Sequence, residues 1–176
     1  MADTSTRVWG IGGRTITNAV TRVMSATTDY AAEDVMADAA TAGTALTFDI
    51  GKNKGAGGYI TNASMQCSTT ALTPRMTLFL FRKTPTAGNL NDNAVNTSVH
   101  TTDRPNYVGK IDFPAWEDIG GNSESEATPS TVGNLPRAFN CDEADRNLYG
   151  ILATRDAITG EAAGMTVVTT LTSEWY

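Results

Sequence analysis

Alternation of apolar and polar residues is clearest in Tyr59-Ile60-Thr61-Asn62-Ala63-Ser64-Met65-Gln66-Cys67-Ser68. One predicted face of this stretch holds Tyr59, Ala63, Met65 and Cys67, and the other holds Asn62, Ser64, Gln66 and Ser68. A period of two is typical of a β-strand that buries one of its faces. The stretch therefore predicts a half-buried strand with an apolar inner side.

The same pattern recurs along most of the chain. In residues 44–50 it places Thr44, Leu46, Phe48 and Ile50 on one face. Further strands are predicted within 16–24 and near 76–83, 107–113, 135–140, 147–154 and 165–172, about eight in all. No stretch holds an apolar stripe of helical period for three turns. Residues 31–42 could form either a helix, which alanine and methionine favour, or a strand.

Residues 76–83 differ because both predicted faces are apolar. Met76, Leu78 and Leu80 share one face, whereas Phe79 and Phe81 share the other. Such a strand lies at the centre of a sheet covered on both sides, or its second face contacts another subunit. Phe79 and Phe81 are therefore candidate contact residues.

These strands predict an all-β fold, an antiparallel β-sandwich of the jelly-roll kind. Two long polar connections, 84–105 and 115–134, interrupt it, and long loops in compact domains are usually functional. An immunoglobulin-like sandwich is the alternative, but no suitable pair of cysteines around a tryptophan supports it. Residues 1–13 show no period and are predicted to form an extended N-terminal arm, so that 14–176 make a single domain.

Composition narrows the function classes. The net charge of −6 argues against a basic nucleic-acid-binding protein, and only 18% of residues are charged, whereas threonine occurs 28 times. Threonine-rich, uncharged surfaces suit strands. The longest apolar run, 76–81, is too short to span a membrane, and the N-terminus lacks the design of a signal peptide, so we expect no export by that route. Cys67 and Cys141 are predicted to be reduced, structural thiols.

Residues with potential chemistry are few and scattered. The glycine-rich segment 51–58 lacks the order of a phosphate-binding loop, so it predicts a hairpin turn whose Lys52 and Lys54 meet an acidic partner surface. Asn91-Asp92-Asn93 with Asp103 could hold calcium, although turn formation is favoured. His100 is predicted to be an ordinary loop residue.

Two further chemistries depend on proximity in space. Paired carboxylates for glycoside hydrolysis need only meet across a groove. Trp9, Trp116 and Trp175 could stack on sugars, or anchor an interface equally well. Neither pattern selects residues, so we predict no catalytic residue, metal, cofactor or small-molecule substrate.

A family resemblance adds to this interpretation. The succession Asp29-Tyr30, Asp34-Val35, Leu46-Thr47-Phe48, a glycine-rich turn, Gly58-Tyr59-Ile60, Leu78-Phe79-Leu80-Phe81, Pro85-Thr86 and Asn91-Asp92-Asn93-Ala94 resembles small structural proteins of tailed bacteriophages, in particular head decoration (auxiliary capsid) proteins. The similarity covers roughly residues 28–172 in order. Its motifs are short and structural.

The resemblance implies a non-enzymatic jelly-roll subunit, a homotrimer, that binds the major capsid protein on the outside of the virion and stabilises the shell. It also implies assembly in the host cytoplasm, with no nucleic acid or membrane as partner. The arm around Arg7, Val8, Trp9 and Ile11 is then the first candidate for capsid or neighbour contact. The alternative function is a carbohydrate-binding or adhesion module of a phage tail or secreted enzyme.

Overall fold

A computed structural model describes residues 4–9, 14–24, 29–159 and 164–175. Within them the chain forms eleven strands and one short 3-10 turn, Arg104–Asn106. The strands are β1 (Thr4–Trp9), β2 (Thr15–Val23), β3 (Leu46–Asp49), β4 (Gly57–Cys67), β5 (Met76–Phe81), β6 (Tyr107–Phe113), β7 (Glu117–Asp118), β8 (Ser123–Ala127), β9 (Arg137–Asn140), β10 (Asn147–Thr154) and β11 (Thr166–Glu174).

The strands form two antiparallel sheets. The larger sheet has the order β1-β2-β11-β4-β8-β7, with β9 paired to the first part of β4, and the smaller has the order β3-β10-β5-β6. Their inner faces enclose one large core that includes Phe48, Met65, Leu78 and Leu171. The predicted all-β antiparallel sandwich is confirmed. Its jelly-roll connectivity stays a prediction.

The predicted arm contributes a strand to the larger sheet. Residues Thr4–Trp9 pair antiparallel with β2, so that Arg7 lies opposite Asn18 and Trp9 opposite Ile16. In the part of the chain that the structure describes, β1 pairs with β2 alone and is an edge of the sheet.

The inward placement of Tyr59 is wrong. Its side chain is 40% exposed, whereas Ile60 is fully buried. The cause is a β-bulge where β4 meets β11: Asn62 pairs with Thr172, but Ile60 pairs with the next residue, Ser173. One extra residue on β4 shifts the phase of the alternation at this point. From Ala63 to Cys67 the predicted pattern holds.

Strand β8 lies inside the segment predicted to be a long polar loop. Two of its three inward residues, Ser123 and Ser125, are buried although they are polar, and the third is Ala127. Ser123 Oγ donates to Thr69 O (2.9 Å), and Ser125 Oγ donates to Pro114 O (2.8 Å). These bonds satisfy hydroxyls that would otherwise be costly to bury. With one alanine as its apolar inward residue, the strand shows no clear period in the sequence.

Phe79 and Phe81 belong to a second core on the outer side of the smaller sheet. They pack with Val35, Ile151 and other buried residues and are 6% and 1% exposed. The cover comes from residues 31–42 and 84–105 of the same chain. The strand is thus central and covered on both sides, and the two phenylalanines are not available as contact residues.

Segment 31–42 adopts neither of the regular structures considered for it. It forms isolated bridges, among them Val35 with Ala153 and Asp34 with Val95. These bridges hold the segment against β10 and against the long connection, so its burial depends on long-range contacts.

Two buried carboxylates hold the long connection 84–105 in place. Asp103 accepts hydrogen bonds from the backbone N–H groups of residues 86, 87 and 88, at 2.8–3.2 Å. Asp92 accepts bonds from Tyr30 Oη (2.8 Å) and Ala37 N (2.7 Å). Burial raises the pKa of Asp92, although these bonds oppose the change. Both residues therefore anchor the cover over the second core.

The glycine-rich segment 51–58 is a turn, but it does not form a hairpin. It connects β3 in the smaller sheet to β4 in the larger one. Gly55, at a φ of 68°, donates its N–H to the carbonyl groups of Asp142 and Asp145. Contacts with this distant segment, and not pairing of its own flanking strands, fix its shape.

Candidate functional site

The outer face of the larger sheet is broad and carries no charge along most of three neighbouring strands; Glu174, at the end of β11, is outward and exposed. Its outward residues are half-buried or exposed: Thr17, Ala19, Thr21 and Val23 on β2; Thr166, Val168, Thr170 and Thr172 on β11; and Asn62, Ser64 and Gln66 on β4. The register places Thr170 beside Ala19 on one side and Ser64 on the other. The hydroxyls of Thr17 and Thr172 lie 3.1 Å apart, within hydrogen-bonding distance.

An acidic margin borders this face on the side of β8. Glu126 Oε1 accepts a hydrogen bond from Asn62 Nδ2 (2.6 Å), and Glu124 Oε2 accepts one from Gln66 Nε2 (3.2 Å). The surface therefore passes from hydroxyl and methyl groups through amides to carboxylates. Substitutions in the uncharged part and substitutions at the carboxylate margin can therefore test the two regions separately.

Sequence reasoning found only part of this face. A strand is predicted near 165–172, and in β11 the threonines at 166, 170 and 172 lie outward and half-buried. The sequence did not indicate that β2 and β11 are adjacent strands, because their paired residues are about 150 positions apart in the chain. The recurrence of threonine at alternate positions of both strands was the available signal.

The predicted contact residues do not form a single surface. Arg7, Val8 and Trp9 lie on the edge strand β1, but their side chains, and the whole of Ile11, are outside the described residues. Lys52 and Lys54 are exposed on the connection between the sheets. Phe79 and Phe81 lie under the chain's own cover.

Lys52 contacts an aromatic ring. Its Nζ lies 4.0 Å from the centre of the Trp175 ring, a distance at which a cation is attracted to the face of an indole. Lys54, on the same connection, is exposed. The same end of the sandwich holds an acidic turn that accepts hydrogen bonds from this connection, and there Asp142 pairs with Lys83 at 3.1 Å.

Trp116 cannot stack on a sugar in this conformation. It is 1% exposed and belongs to the large core. Its Nε1 atom is buried and has no hydrogen-bond partner among the residues that the structure describes. Of the three tryptophans considered for sugar stacking, Trp116 is therefore excluded.

The carboxylates considered for calcium already accept hydrogen bonds from the chain itself. Asp92 and Asp103 bind backbone N–H groups and a tyrosine hydroxyl, as described above. Within residues 4–9, 14–24, 29–159 and 164–175, no group of three or more histidine, cysteine or acidic side chains is arranged to hold a metal ion. His100 lies on a loop, where its Nδ1 accepts a bond from Thr102 N (3.2 Å).

One carboxylate pair does meet across strands. Glu117 on β7 is the register partner of Glu124 on β8, beside an open groove of about 470 Å³. Like charges directly opposite one another are unfavourable in a sheet. Sequence reasoning could not name this pair because it recognised neither strand.

Both cysteines are free and buried. Burial, with the nearby charges of Asp145 and Asp49, raises the pKa of the Cys141 thiol to about 12. Burial also raises the pKa of Cys67. Cys67 packs against Met165, with the two sulfur atoms 3.5 Å apart. These properties are those of structural thiols.

We expect the folded protein to resist alkylation. At pH 8 a thiol of pKa about 12 is ionised roughly a thousandfold less than one of pKa 9, and burial excludes the reagent as well. Iodoacetamide at pH 8, followed by mass measurement, should leave both cysteines unmodified, whereas both should react in urea. Rapid modification of Cys141 in the folded protein would show that its environment is not the one described.

The comparisons with known proteins leave the family open. No family model matches the chain, and no curated protein is similar enough to count as a match. Among the described residues, no helix is long and apolar enough to cross a membrane.

Proposed function

We propose that this protein is a structural component of a virion, a decoration protein that binds the outer surface of a tailed-phage capsid as a homotrimer and stabilises the shell. The observation that carries the proposal is the uncharged outer face of the larger sheet. The resemblance to phage head proteins supplies the identity of the partner, the major capsid protein.

The chemistry of the face suits contact with another protein. Cores of protein interfaces are depleted of charged residues, because an ionised group is costly to remove from water. Here eleven outward positions on three strands carry hydroxyl, methyl or amide groups, although the chain has a net charge of −6. The charged groups lie at the margin, as the rim of an interface requires.

The size of the face supports a multivalent attachment. Three strands about 4.8 Å apart and about 27 Å long cover about 400 Å². A stable interface usually buries about 800 Å² on each partner, so one such patch binds weakly. Three patches in a trimer present about 1,200 Å², and simultaneous engagement raises the overall affinity without any new contact.

A charge placed at the centre of this face tests the proposal. Thr170→Lys should weaken co-sedimentation with capsids by about tenfold or more, because a lysine between Ala19 and Ser64 would have to be buried on binding. The change leaves the core intact, since Thr170 points outward. Binding is measured by pelleting purified capsids with increasing amounts of the protein.

The matched control is Thr131→Lys, the same substitution on an exposed loop outside the sheet. It should bind like the unmodified protein. Absence of binding to capsids by the unmodified protein would refute the function. Equal binding by both variants would place the contact elsewhere on the molecule.

A further inference from the structure

An open groove of about 440 Å³ lies where the first part of β4 and β9 approach the smaller sheet. Tyr59, Ala138 and Asn140 line it from the larger sheet, and Arg82, Tyr107 and Val108 line it from the smaller one. It is separate from the uncharged face described above. No acidic side chain is among its lining residues.

Arg82 is exposed and held in place at this groove. Its Nε donates to Asn106 Oδ1 (3.2 Å), and its Nη2 donates to Pro105 O (3.1 Å). Both acceptors are neutral and fix the direction of the guanidinium, and its charge also interacts with the carboxylate of Asp142, which is outside the lining of the groove. A guanidinium positioned in this way is suited to a carboxylate, which it can bind through two parallel hydrogen bonds.

A second guanidinium lies close by. Arg137 on β9 packs over Gly109 of β6, where a Cβ atom would come within 2.8 Å of Arg137 Nε. This Nε is buried and has no hydrogen-bond partner among the described residues. Burial raises the pKa of Tyr107, and the charge of Arg137 opposes that change. The positive charge of Arg137 therefore reaches a residue that lines the groove.

Two unpaired strand edges face this region. Within the described residues β9 pairs only with β4, and β6 pairs only with β5. Free edges present backbone N–H and C=O groups that an additional strand can satisfy. An extended peptide offers the complementary backbone groups, whereas a polysaccharide does not.

We propose that this groove binds an extended acidic peptide segment of a partner protein, with a carboxylate of the segment held by Arg82 and the backbone of the segment added to a free strand edge. The positive charge of Arg137 strengthens the attraction. This binding site is independent of the capsid-binding face, and its test uses the purified protein alone.

The probe is a fluorescein-labelled ten-residue peptide of alternating glutamate and valine, and binding is measured by fluorescence anisotropy. Arg82→Gln should weaken binding at least tenfold, equivalent to about 1.4 kcal/mol. A peptide with glutamine in place of glutamate should lose a similar factor with the unmodified protein. Arg75→Gln is the matched control, because Arg75 is exposed and pairs with Asp156 outside the groove; it should bind normally.

Three further measurements separate the alternatives. A peptide with proline at alternate positions should bind poorly, because it lacks the N–H groups needed for strand addition. Arg137→Gln should weaken binding severalfold, and its thermal unfolding is compared with that of Arg82→Gln to detect loss of fold. Equal affinity for the glutamate and glutamine peptides, or no effect of Arg82→Gln, would overturn the proposal. Tighter binding of polygalacturonate than of the peptide would also overturn it and assign the groove to an acidic polysaccharide.

Discussion

Replacement of Trp116 by alanine is expected to lower the free energy of unfolding by about 3–5 kcal/mol, the usual cost of removing a large aromatic side chain from a core. The residue is 1% exposed and packs in the main core between the sheets. A loss of this size is a large fraction of the stability of an ordinary domain. Urea unfolding, followed by tryptophan fluorescence or circular dichroism, measures it.

Trp116→Phe is the informative control. Within the described part of the chain the buried Nε1 of Trp116 has no hydrogen-bond partner, so its loss removes no bond and relieves a desolvated polar group. We therefore expect Trp116→Phe to cost less than about 1.5 kcal/mol. If Trp116→Ala left the unfolding midpoint unchanged but abolished retention on a glycan array, the ring would be a sugar-stacking residue and its burial would be contradicted.

The second large effect is expected at Phe81. Phe81→Ala should destabilise the protein by about 3–5 kcal/mol, because the ring is 1% exposed and packs 5.6 Å from Tyr107 between ring centres. The unfolding free energy is measured by urea titration. Val132→Ala, at a side chain that is 70% exposed, should change it by less than about 0.5 kcal/mol.

Protein concentration distinguishes the two interpretations of this phenylalanine face. If the face is covered within one chain, the destabilisation by Phe81→Ala should be the same over about a hundredfold range of protein concentration. A contact between subunits would instead make the size of this destabilisation change with protein concentration and would shift the oligomeric state of the variant. That outcome would restore Phe79 and Phe81 as interface residues.

Alternation was a reliable guide wherever the inner residues of a strand were apolar. Residues 147–154 were predicted with the bounds that β10 has, and β5, β6 and β11 were found within about two residues. The alternation gave no sign of β8, because two serines, whose hydroxyls are satisfied by backbone carbonyls, replace apolar residues on its inner face. It failed at Tyr59 because a bulge depends on the partner strand, which one strand's sequence does not reveal.

The candidate sites were less predictable than the fold. The uncharged face needs β2 and β11 to be neighbours, and the groove needs β4 and β9 of the larger sheet to approach Arg82 and β6 of the smaller one. Both are consequences of long-range pairing. Residues 31–42, which are rich in alanine, and the polar residues 84–105 show the same limit, since neither pattern indicated that these segments cover a second core.

The position of β11 has a consequence for how the chain reaches its native state. The last strand lies between β2 and β4, in the middle of the larger sheet. Until residues 166–174 have been synthesised, both neighbours present unpaired edges, and the inner faces of the sandwich lack a central strand. The sandwich can close only after this segment has left the ribosome. Folds dominated by pairing between distant segments form slowly, and their intermediates expose surfaces that aggregate. A truncation that removes residues 166–174 is therefore expected to accumulate in aggregates.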